Sequence, residues 1–330
     1  MASNIQKYGK KPIQKILRTP PSRFINLPDY KFIENYVIIY EETNNEKVSL
    51  RMHFIDEGPK NAKETILLMH GEPTWSYLYR KFIPILTKKG YRVVVPDLIG
   101  FGKSDKPSQQ EDYSYARWIK WMNQFLIQIN LQNITLFCQD WGGLIGLRVV
   151  QQNPEKFSRI AIANTTLPLP NKLMKNNYFH RWANDVSQNM KSWGTLLNKS
   201  STKGLNQEEQ AAYEAPFPTE EYKAASRVAP KLVPITNEHQ EVEENKKAID
   251  FFSKWEKPFI TLFSDKDPIF GNKGVEVFWQ KLVPGAKNQK HTIIKNAGHF
   301  LQEDQPEEIC SHLIEFIEQN QVQQQFTPKL

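Results

Sequence analysis

The sequence predicts an α/β protein with a mostly parallel sheet and a helical segment inserted between two of its strands. Short β-branched and aliphatic runs alternate with amphipathic stretches, which is the pattern of successive βαβ units. The alternation stops near residue 165 and resumes near residue 255, and the stretch between has helical periodicity. A chain of 330 residues is long enough for a large open sheet and this insert.

Eight strands and five helices outside the insert follow from these patterns. The turn residues Asn44 and Asn45 join an opening antiparallel pair, and the later continuous apolar runs are typical of parallel strands buried on both faces. The predicted strands are 36–40, 48–56, 66–69, 93–96, 134–138, 160–163, 259–263 and 292–295. The predicted helices are 75–88, 115–129, 143–152, 274–282 and 307–319.

Composition and charge exclude several classes of protein. The net charge is +7, but the first 18 residues carry five basic side chains and no acidic one, so the remainder is close to neutral. This argues against a nucleic-acid-binding surface on the folded part. No apolar run approaches the roughly 18 residues that a membrane span needs. Two cysteines are too few for a disulfide scaffold, and we expect a cytoplasmic protein.

The chain is predicted to divide into three regions. Residues 1–17 form a basic, solvated N-terminal leader. Residues 18–164 and 255–330 form the core domain, and residues 165–254 form a helical cap. The alternative for the insert is a peripheral pair of helices with no part in a functional site.

The most informative motif is FCQDWGG at residues 137–143, where a predicted strand meets a helix. A nucleophile elbow is a sharp turn in which small residues let one side chain project from the end of a strand. Asp140 occupies the nucleophile position, and Gly142 and Gly143 supply the space. An ionised carboxylate can displace a leaving group from saturated carbon and remain as an alkyl ester. The alternative is that Asp140 only caps the helix that follows.

Two further residues complete a hydrolytic site whose chain order is nucleophile, acid, base. Asp267 follows the seventh predicted strand, and His299 follows the eighth, in AGHF. We predict that His299 activates a water molecule, while Asp267 orients its ring and stabilises the imidazolium. The loop HGEP after the third strand is placed to contribute to an oxyanion hole, formed by the backbone N–H groups of Glu72 and Trp141.

The sequence resembles the haloalkane dehalogenases, a family with the α/β-hydrolase fold. The likeness extends from about residue 17 to about residue 316. It is carried by HGEPTWSYLYR at 70–80, the loop 97–107, QDWGG at 139–143, APFP at 215–218 and AGHF at 297–300. The resemblance implies hydrolysis of a small haloalkane to an alcohol and halide through an ester on Asp140, without cofactor or metal. The implied partners are a halogenated hydrocarbon, water and halide; we expect a monomer that binds neither nucleic acid nor membrane.

The resemblance also points to one branch of the family, with its acid after the seventh strand and a cap tryptophan as second halide ligand. Residues 163–165, after the sixth strand, offer no carboxylate, and Glu72 stands where the other branch has asparagine. Trp141 and Trp182 are the implied halide ligands, with Trp193 as the fallback. An indole N–H suits the role because it donates and has no acceptor, although both rings could be ordinary core aromatics. The expected pocket residues are Phe179, Trp193, Phe217 and Phe300.

Two other functions remain open from the sequence. Epoxide hydrolysis uses the same aspartate but needs cap tyrosine hydroxyls, for which Tyr178, Tyr213 and Tyr222 are available. A non-catalytic binder of a small apolar ligand is the other. The adjacency of Trp141 to the nucleophile favours dehalogenation over the first, and the complete set of catalytic residues argues against the second.

Overall fold

The computed structural model describes residues 8–170 and 177–321, and of residues 177–182 it describes the backbone alone. The β-strands are β1 (Ile16–Leu17), β2 (Asn35–Thr43), β3 (Glu46–Glu57), β4 (Thr65–Met69), β5 (Arg92–Pro96), β6 (Lys106–Pro107), β7 (Ile134–Gln139), β8 (Phe157–Ala163), β9 (Phe259–Ser264) and β10 (Thr292–Ile294). The α-helices are α1 (Phe82–Lys88), α2 (Tyr115–Gln128), α3 (Trp141–Gln152), α4 (Asn177–Gln188), α5 (Trp193–Ser200), α6 (Gln207–Glu214), α7 (Ala224–Val228), α8 (Val242–Phe252), α9 (Val275–Leu282), α10 (Leu301–Asp304) and α11 (Pro306–Gln319).

Eight of these strands form one sheet in the order β10-β9-β8-β7-β4-β5-β3-β2. The strands β2 and β3 pair antiparallel around Asn44 and Asn45, which both have positive φ, and β3 pairs antiparallel with β5. All other pairs within this eight-stranded sheet are parallel. The predicted mostly parallel eight-stranded sheet is confirmed. Its parallel strands end at one edge, which brings their following loops together.

Helices cover both faces of the sheet. One apolar layer includes Trp118 of α2, Leu147 of α3, Phe252 of α8 and Trp279 of α9. The layer on the other side includes side chains of α1 and α11, such as Leu86. Every residue of β4, β7 and β9 is buried, as expected for strands covered on both sides.

One predicted helix is divided in the structure. Residues 75–88 were expected to form one helix, but they form a buried 3₁₀ turn, Ser76–Tyr79, and then α1. Pro84 explains the division, because it has no N–H to donate to the carbonyl of Arg80 and is tolerated only within the first turn of a helix. The short strands β1 and β6 and the short helix α10 carry too few residues to show a period, and the sequence did not predict them.

The basic N-terminal segment packs against the body of the protein from residue 8 onward. The side chains of Tyr8, Ile13 and Leu17 are buried, and β1 pairs with β6. The guanidinium of Arg18 makes two hydrogen bonds with the carboxylate of Asp105, at 2.8 and 3.1 Å. The expectation of a solvated tail is therefore wrong for residues 8–17. The apolar side chains between the lysines are buried against the body of the protein, while the lysines themselves remain at the surface.

The insert between β8 and β9 contains α4 to α8. The last of these helices packs on α3: Arg148 Nη1 donates to Glu241 Oε2 at 3.2 Å and to Asn245 Oδ1 at 3.0 Å. The boundary at residue 254 stays a prediction. Within the described residues, no helix combines the length and apolarity that crossing a bilayer requires.

Candidate active site

The turn between β7 and α3 has the geometry of a nucleophile elbow. Asp140, the single residue between the two elements, adopts φ 52° and ψ −130°, a strained conformation for a residue with a side chain. The two residues after Trp141 must be glycines, because neighbouring atoms leave no room for a side chain at either position. A Cβ on Gly142 would lie 2.2 Å from the carbonyl oxygen of Met69, and one on Gly143 would lie 2.1 Å from Oγ1 of Thr165.

The Asp140 carboxylate faces the loop after β4 rather than the helix. It makes no capping hydrogen bond to α3, so the helix-cap alternative is wrong. Instead, Oδ1 accepts a hydrogen bond from the backbone N–H of Glu72 at 2.9 Å. The backbone N–H of Trp141, the other expected oxyanion-hole donor, belongs to the first residue of α3 and has no carbonyl partner within the helix.

The structure brings the three expected catalytic side chains together. His299 Nε2 lies 3.5 Å from Asp140 Oδ2, and His299 Nδ1 lies 2.7 Å from Asp267 Oδ2. The other carboxylate oxygen of Asp267 accepts hydrogen bonds from the backbone N–H groups of Ile269 at 2.7 Å and Phe270 at 3.1 Å. The Asp267 carboxylate is therefore fixed by its own loop, and the imidazole of His299 lies between the two carboxylates.

Two opposing effects act on the protonation of His299. Burial lowers the pKa of its imidazole, but the negative charges of Asp267 and Asp140 outweigh burial and raise that pKa to about 10. Burial, together with the charge of Asp140, also raises the pKa of the Glu72 carboxyl well above its usual range. Both Glu72 carboxyl oxygens are buried and have no hydrogen-bond partner among the described residues.

Trp141 lies against an aromatic wall. Its ring is 3% exposed and packs on Tyr115 and Trp118, with centroid distances of 5.3 and 5.1 Å. The indole N–H of Trp118 is already used, because it donates to the carbonyl of Ile99. No hydrogen bond of the Trp141 indole is found within residues 8–170 and 177–321.

Of the two tryptophans considered as the second halide ligand, Trp182 and Trp193, the structure describes the side chain of Trp193. Trp182 and Phe179 lie in α4, where their side chains fall outside the described residues. Trp193, the fallback ligand, is fully buried at the start of α5, and its indole nitrogen has no hydrogen-bond partner in the part of the chain that the structure describes. Its ring packs edge-on against Phe217 at 6.4 Å, and the Arg227 guanidinium lies 4.9 Å from its centroid.

A small cavity of about 30 Å³ opens beside His299. Its described lining residues are Pro73, Leu196, Ser200, Pro268, Ile269, His299 and Phe300. Of the expected pocket residues whose side chains are described, Phe300 is in this set, and Trp193 and Phe217 are not. The backbone N–H of His299 donates to the carbonyl of Ser200 at 3.0 Å, so the end of α5 contacts His299 directly.

Two of the three tyrosine hydroxyls considered for epoxide opening form hydrogen bonds elsewhere. Tyr213 is buried and donates to Glu303 Oε1 at 2.5 Å. Tyr222 donates to the carbonyl of Arg18 at 3.4 Å. Tyr178 has a side chain outside the described residues.

Two buried amides at the site were missed from the sequence. Gln139 Nε2 lies 3.0 Å from His299 Nε2. Asn164 donates through Nδ2 to Ser264 Oγ at 2.8 Å and to the carbonyls of Gly298 and His299 at 3.2 Å, and so ties together the loops after β8, β9 and β10. The signal available for Asn164 in the sequence is its place directly after a buried strand.

The described residues contain no cluster of three or more histidine, cysteine or acidic side chains arranged to hold a metal ion. Cys138 and Cys310 are buried and unpaired, and burial raises the pKa of both thiols. Neither thiol is therefore activated as a nucleophile.

The sheet order, the elbow and the loops gathered around it define an α/β hydrolase that carries aspartate at the elbow position. The family model described as alpha/beta hydrolase fold matches residues 64–306. A haloalkane dehalogenase of Psychrobacter cryohalolentis is 50% identical over 309 residues, which are 93% of this chain and 99% of that protein. The chain belongs to the haloalkane dehalogenase family, and it is a hydrolase that acts on carbon–halide bonds.

Further relatives agree in sequence and in shape. A haloalkane dehalogenase of Mycolicibacterium paratuberculosis is 41% identical, covering 91% of this chain and 97% of that protein. The haloalkane dehalogenase DpaA of Paraglaciecola agarilytica NO2, whose structure is described as tetrameric, is 34% identical with a TM-score of 0.80, covering 93% of this chain and 98% of that one. DatA of Agrobacterium tumefaciens C58 matches at 22% identity with a TM-score of 0.72, covering 91% of this chain and 99% of that one, and supports the fold alone.

Proposed function

We propose that this dehalogenase hydrolyses a small haloalkane in two steps through an alkyl ester on Asp140. In the first step, a carboxylate oxygen of Asp140 bonds to the carbon atom that carries the halogen, and the halide leaves with the bonding electrons. The observation that carries the proposal is the position of this carboxylate. It is free of the helix and lies 3.5 Å from His299 Nε2, which in turn is linked to Asp267.

In the second step, water attacks the ester carbonyl carbon while His299 Nε2 takes a proton from the water. The N–H groups of Glu72 and Trp141 stabilise the developing oxyanion. The tetrahedral intermediate then collapses with cleavage of the bond between its central carbon and the alkoxy oxygen, and the leaving alkoxide takes the proton from His299 to give the alcohol. The second proton of the water leaves to solvent, and the Asp140 carboxylate is regenerated.

The charges around His299 change between the two steps. The carboxylate of Asp140 is one of the two charges that raise the pKa of His299. Alkylation converts that carboxylate to a neutral ester and removes its contribution, so the pKa of His299 falls. The imidazole thereby becomes available as a base when there is an ester to hydrolyse.

The experiment is intact-mass measurement after mixing with 1,2-dibromoethane. His299→Phe should release one equivalent of bromide and retain a stable adduct, whereas Asp140→Asn should form no adduct and release no bromide. His312→Phe, a substitution on α11, is the matched control and should turn over without accumulating ester. Absence of any adduct in His299→Phe would contradict the two-step scheme. Turnover of styrene oxide in place of bromide release would indicate epoxide hydrolysis.

For the halide, we propose Trp141 with Trp182 as the second ligand, which places the chain in the branch with a cap tryptophan. The Trp141 indole is nearly buried, and its aromatic neighbours leave little room for water to solvate a halide. Trp193 is the competing choice, since its buried indole N–H lacks a described partner. Quenching of fluorescence by bromide distinguishes them. Trp182→Phe should weaken bromide binding while Trp193→Phe does not, and the reverse result would assign the role to Trp193.

We further propose that residues 165–254 act as a cap over the site, with Phe179, Trp193, Phe217 and Phe300 contributing to the substrate pocket. Leu196 and Ser200 of α5 line the cavity beside His299, which supports a role at the site rather than at the periphery.

We propose that the protein is cytoplasmic, as its two cysteines suggest. We also propose that it acts as a monomer on a halogenated hydrocarbon and water, as the family resemblance implies. The related DpaA is described as tetrameric. Light scattering after size-exclusion chromatography tests the monomer directly, and a tetramer would overturn it.

A further inference from the structure

Gln139 is a buried amide in contact with the proposed base, and the two steps above do not use it. It is the last residue of β7 and precedes Asp140. Its Nε2 lies 3.0 Å from His299 Nε2 and 3.2 Å from the His299 carbonyl oxygen. Its Oε1 is buried and has no hydrogen-bond partner within the described residues. Burying an amide oxygen without a hydrogen-bond partner lowers the stability of the folded protein. A role in the site would explain why an amide is present at this position.

The neighbouring carbonyl fixes which way this amide points. A backbone carbonyl oxygen only accepts hydrogen bonds, so the end of Gln139 that faces the His299 carbonyl must be the NH₂ group. The same NH₂ group therefore faces His299 Nε2. A donor is compatible with Nε2 only when that nitrogen carries a lone pair and no hydrogen.

The other ring nitrogen agrees with this assignment. Nδ1 lies 2.7 Å from a carboxylate oxygen of Asp267, which can only accept, so Nδ1 carries the hydrogen. Together, Asp267 and Gln139 match the neutral imidazole with hydrogen on Nδ1 and a lone pair on Nε2. This is the form that a general base must have before it takes a proton from water.

The remaining groups that face the imidazole act in the opposite direction. Before alkylation the carboxylates of Asp140 and Asp267 both favour the imidazolium, and in the ester only the carboxylate of Asp267 does. The buried Glu72 carboxyl, whose pKa is raised, adds little charge in either state. Among the described side chains at the imidazole, the Gln139 amide opposes protonation of Nε2 by a directed contact.

We propose that Gln139 is a positioning residue that holds His299 neutral, with its Nε2 lone pair directed into the site, for the ester-hydrolysis step. The arriving water replaces the amide at the lone pair, and Nε2 then takes the proton of the water. The inference rests on the proposed role of His299 as the base. It assigns Gln139 no part in displacement of the halide.

The test measures decay of the alkyl ester against pH by rapid mixing and quenched intact-mass analysis. Gln139→Met keeps the length of the side chain and removes the amide donor. Losing one neutral hydrogen bond to the free base should raise the apparent pKa of ester decay by about half to one unit. Below that pKa, decay should slow about three- to tenfold, while the rate of bromide release in the first turnover stays unchanged.

Gln302→Met is the matched control. Gln302 is equally buried, also has an unpartnered Oε1, and contacts the Tyr79 hydroxyl at 3.4 Å rather than the histidine. Its substitution should leave the apparent pKa of ester decay where it is in the wild type.

An unchanged apparent pKa in Gln139→Met, or a uniform slowing at every pH, would overturn the inference and leave Gln139 with a structural role. If that variant does not fold, Gln139→Leu replaces it. Leucine also lacks the amide donor and has a smaller side chain, and it should raise the apparent pKa of ester decay by the same amount. Failure of the two-step scheme looks different, because His299→Phe then forms no ester at all.

Discussion

Replacing Asp267 by asparagine should separate the two chemical steps. In the native site, Asp267 Oδ1 accepts hydrogen bonds from two backbone N–H groups, and Oδ2 accepts from His299 Nδ1. An asparagine must place its carbonyl oxygen toward the two N–H groups, because its NH₂ group cannot accept them. The NH₂ group then faces Nδ1. The imidazole responds by moving its hydrogen to Nε2, and the lone pair needed to deprotonate water is lost.

The expected magnitude follows from this change of tautomer. Ester hydrolysis should slow about 10,000-fold, which corresponds to about 5 kcal/mol in activation free energy. Halide displacement requires only the Asp140 carboxylate and should continue. If wild-type hydrolysis runs at about 10 per second, the ester in the variant should persist for about ten minutes.

The assay is intact-mass spectrometry of Asp267→Asn after mixing with 1,2-dibromoethane, with bromide release followed in parallel. One equivalent of bromide and a slowly decaying adduct are expected. Asp265→Asn is the control, since that carboxylate lies on the same loop and accepts a hydrogen bond from the backbone of Ala297 rather than from the histidine. Turnover at the wild-type rate in Asp267→Asn would refute the tautomer argument, and so would loss of the first bromide equivalent.

Three further outcomes are expected. Because the pKa of His299 is raised from 6.5 to about 10, its protonation stabilises the fold fully below about pH 6.5, and this contribution is lost as pH rises through about 10. The urea-unfolding free energy should therefore fall over that window more in the wild type than in His299→Phe; equal slopes would contradict the assignment. Arg80 is buried in an ion pair with Glu303, so Arg80→Met should cost about 3 kcal/mol in unfolding free energy, with partial recovery when Glu303→Met is added. Gly142→Ala places a Cβ 2.2 Å from a backbone carbonyl oxygen and should lower the unfolding free energy by more than about 2 kcal/mol. Gly146→Ala is the control in the same helix. Its Cβ has its nearest contacts with side-chain atoms at 3.2 Å, so the unfolding free energy should be nearly unchanged.

Much of the fold was accessible from local pattern. The eight sheet strands lie where the sequence predicted them. The strands β4, β7 and β9 are buried throughout, and a strand buried on both faces leaves a continuous apolar run of four to eight residues. The interpretation was wrong where the signal was short or mixed. Residues 8–17 alternate lysines with apolar side chains, and their burial depends on a surface supplied by distant parts of the chain. The division of the helix predicted at 75–88 depended on the single residue Pro84.

The sequence by itself determined the elbow and the order of Asp140, Asp267 and His299, because each follows a recognisable strand and parallel strands end at one edge of their sheet. Only the tertiary structure decided that Asp140 faces the loop after β4 and not its own helix. It also brought Gln139 against His299, 160 positions later in the chain. Contacts of this kind depend on side-chain rotamers and on the packing of segments that are far apart in the chain. Rotamers and long-range packing leave no periodicity and no motif in the sequence.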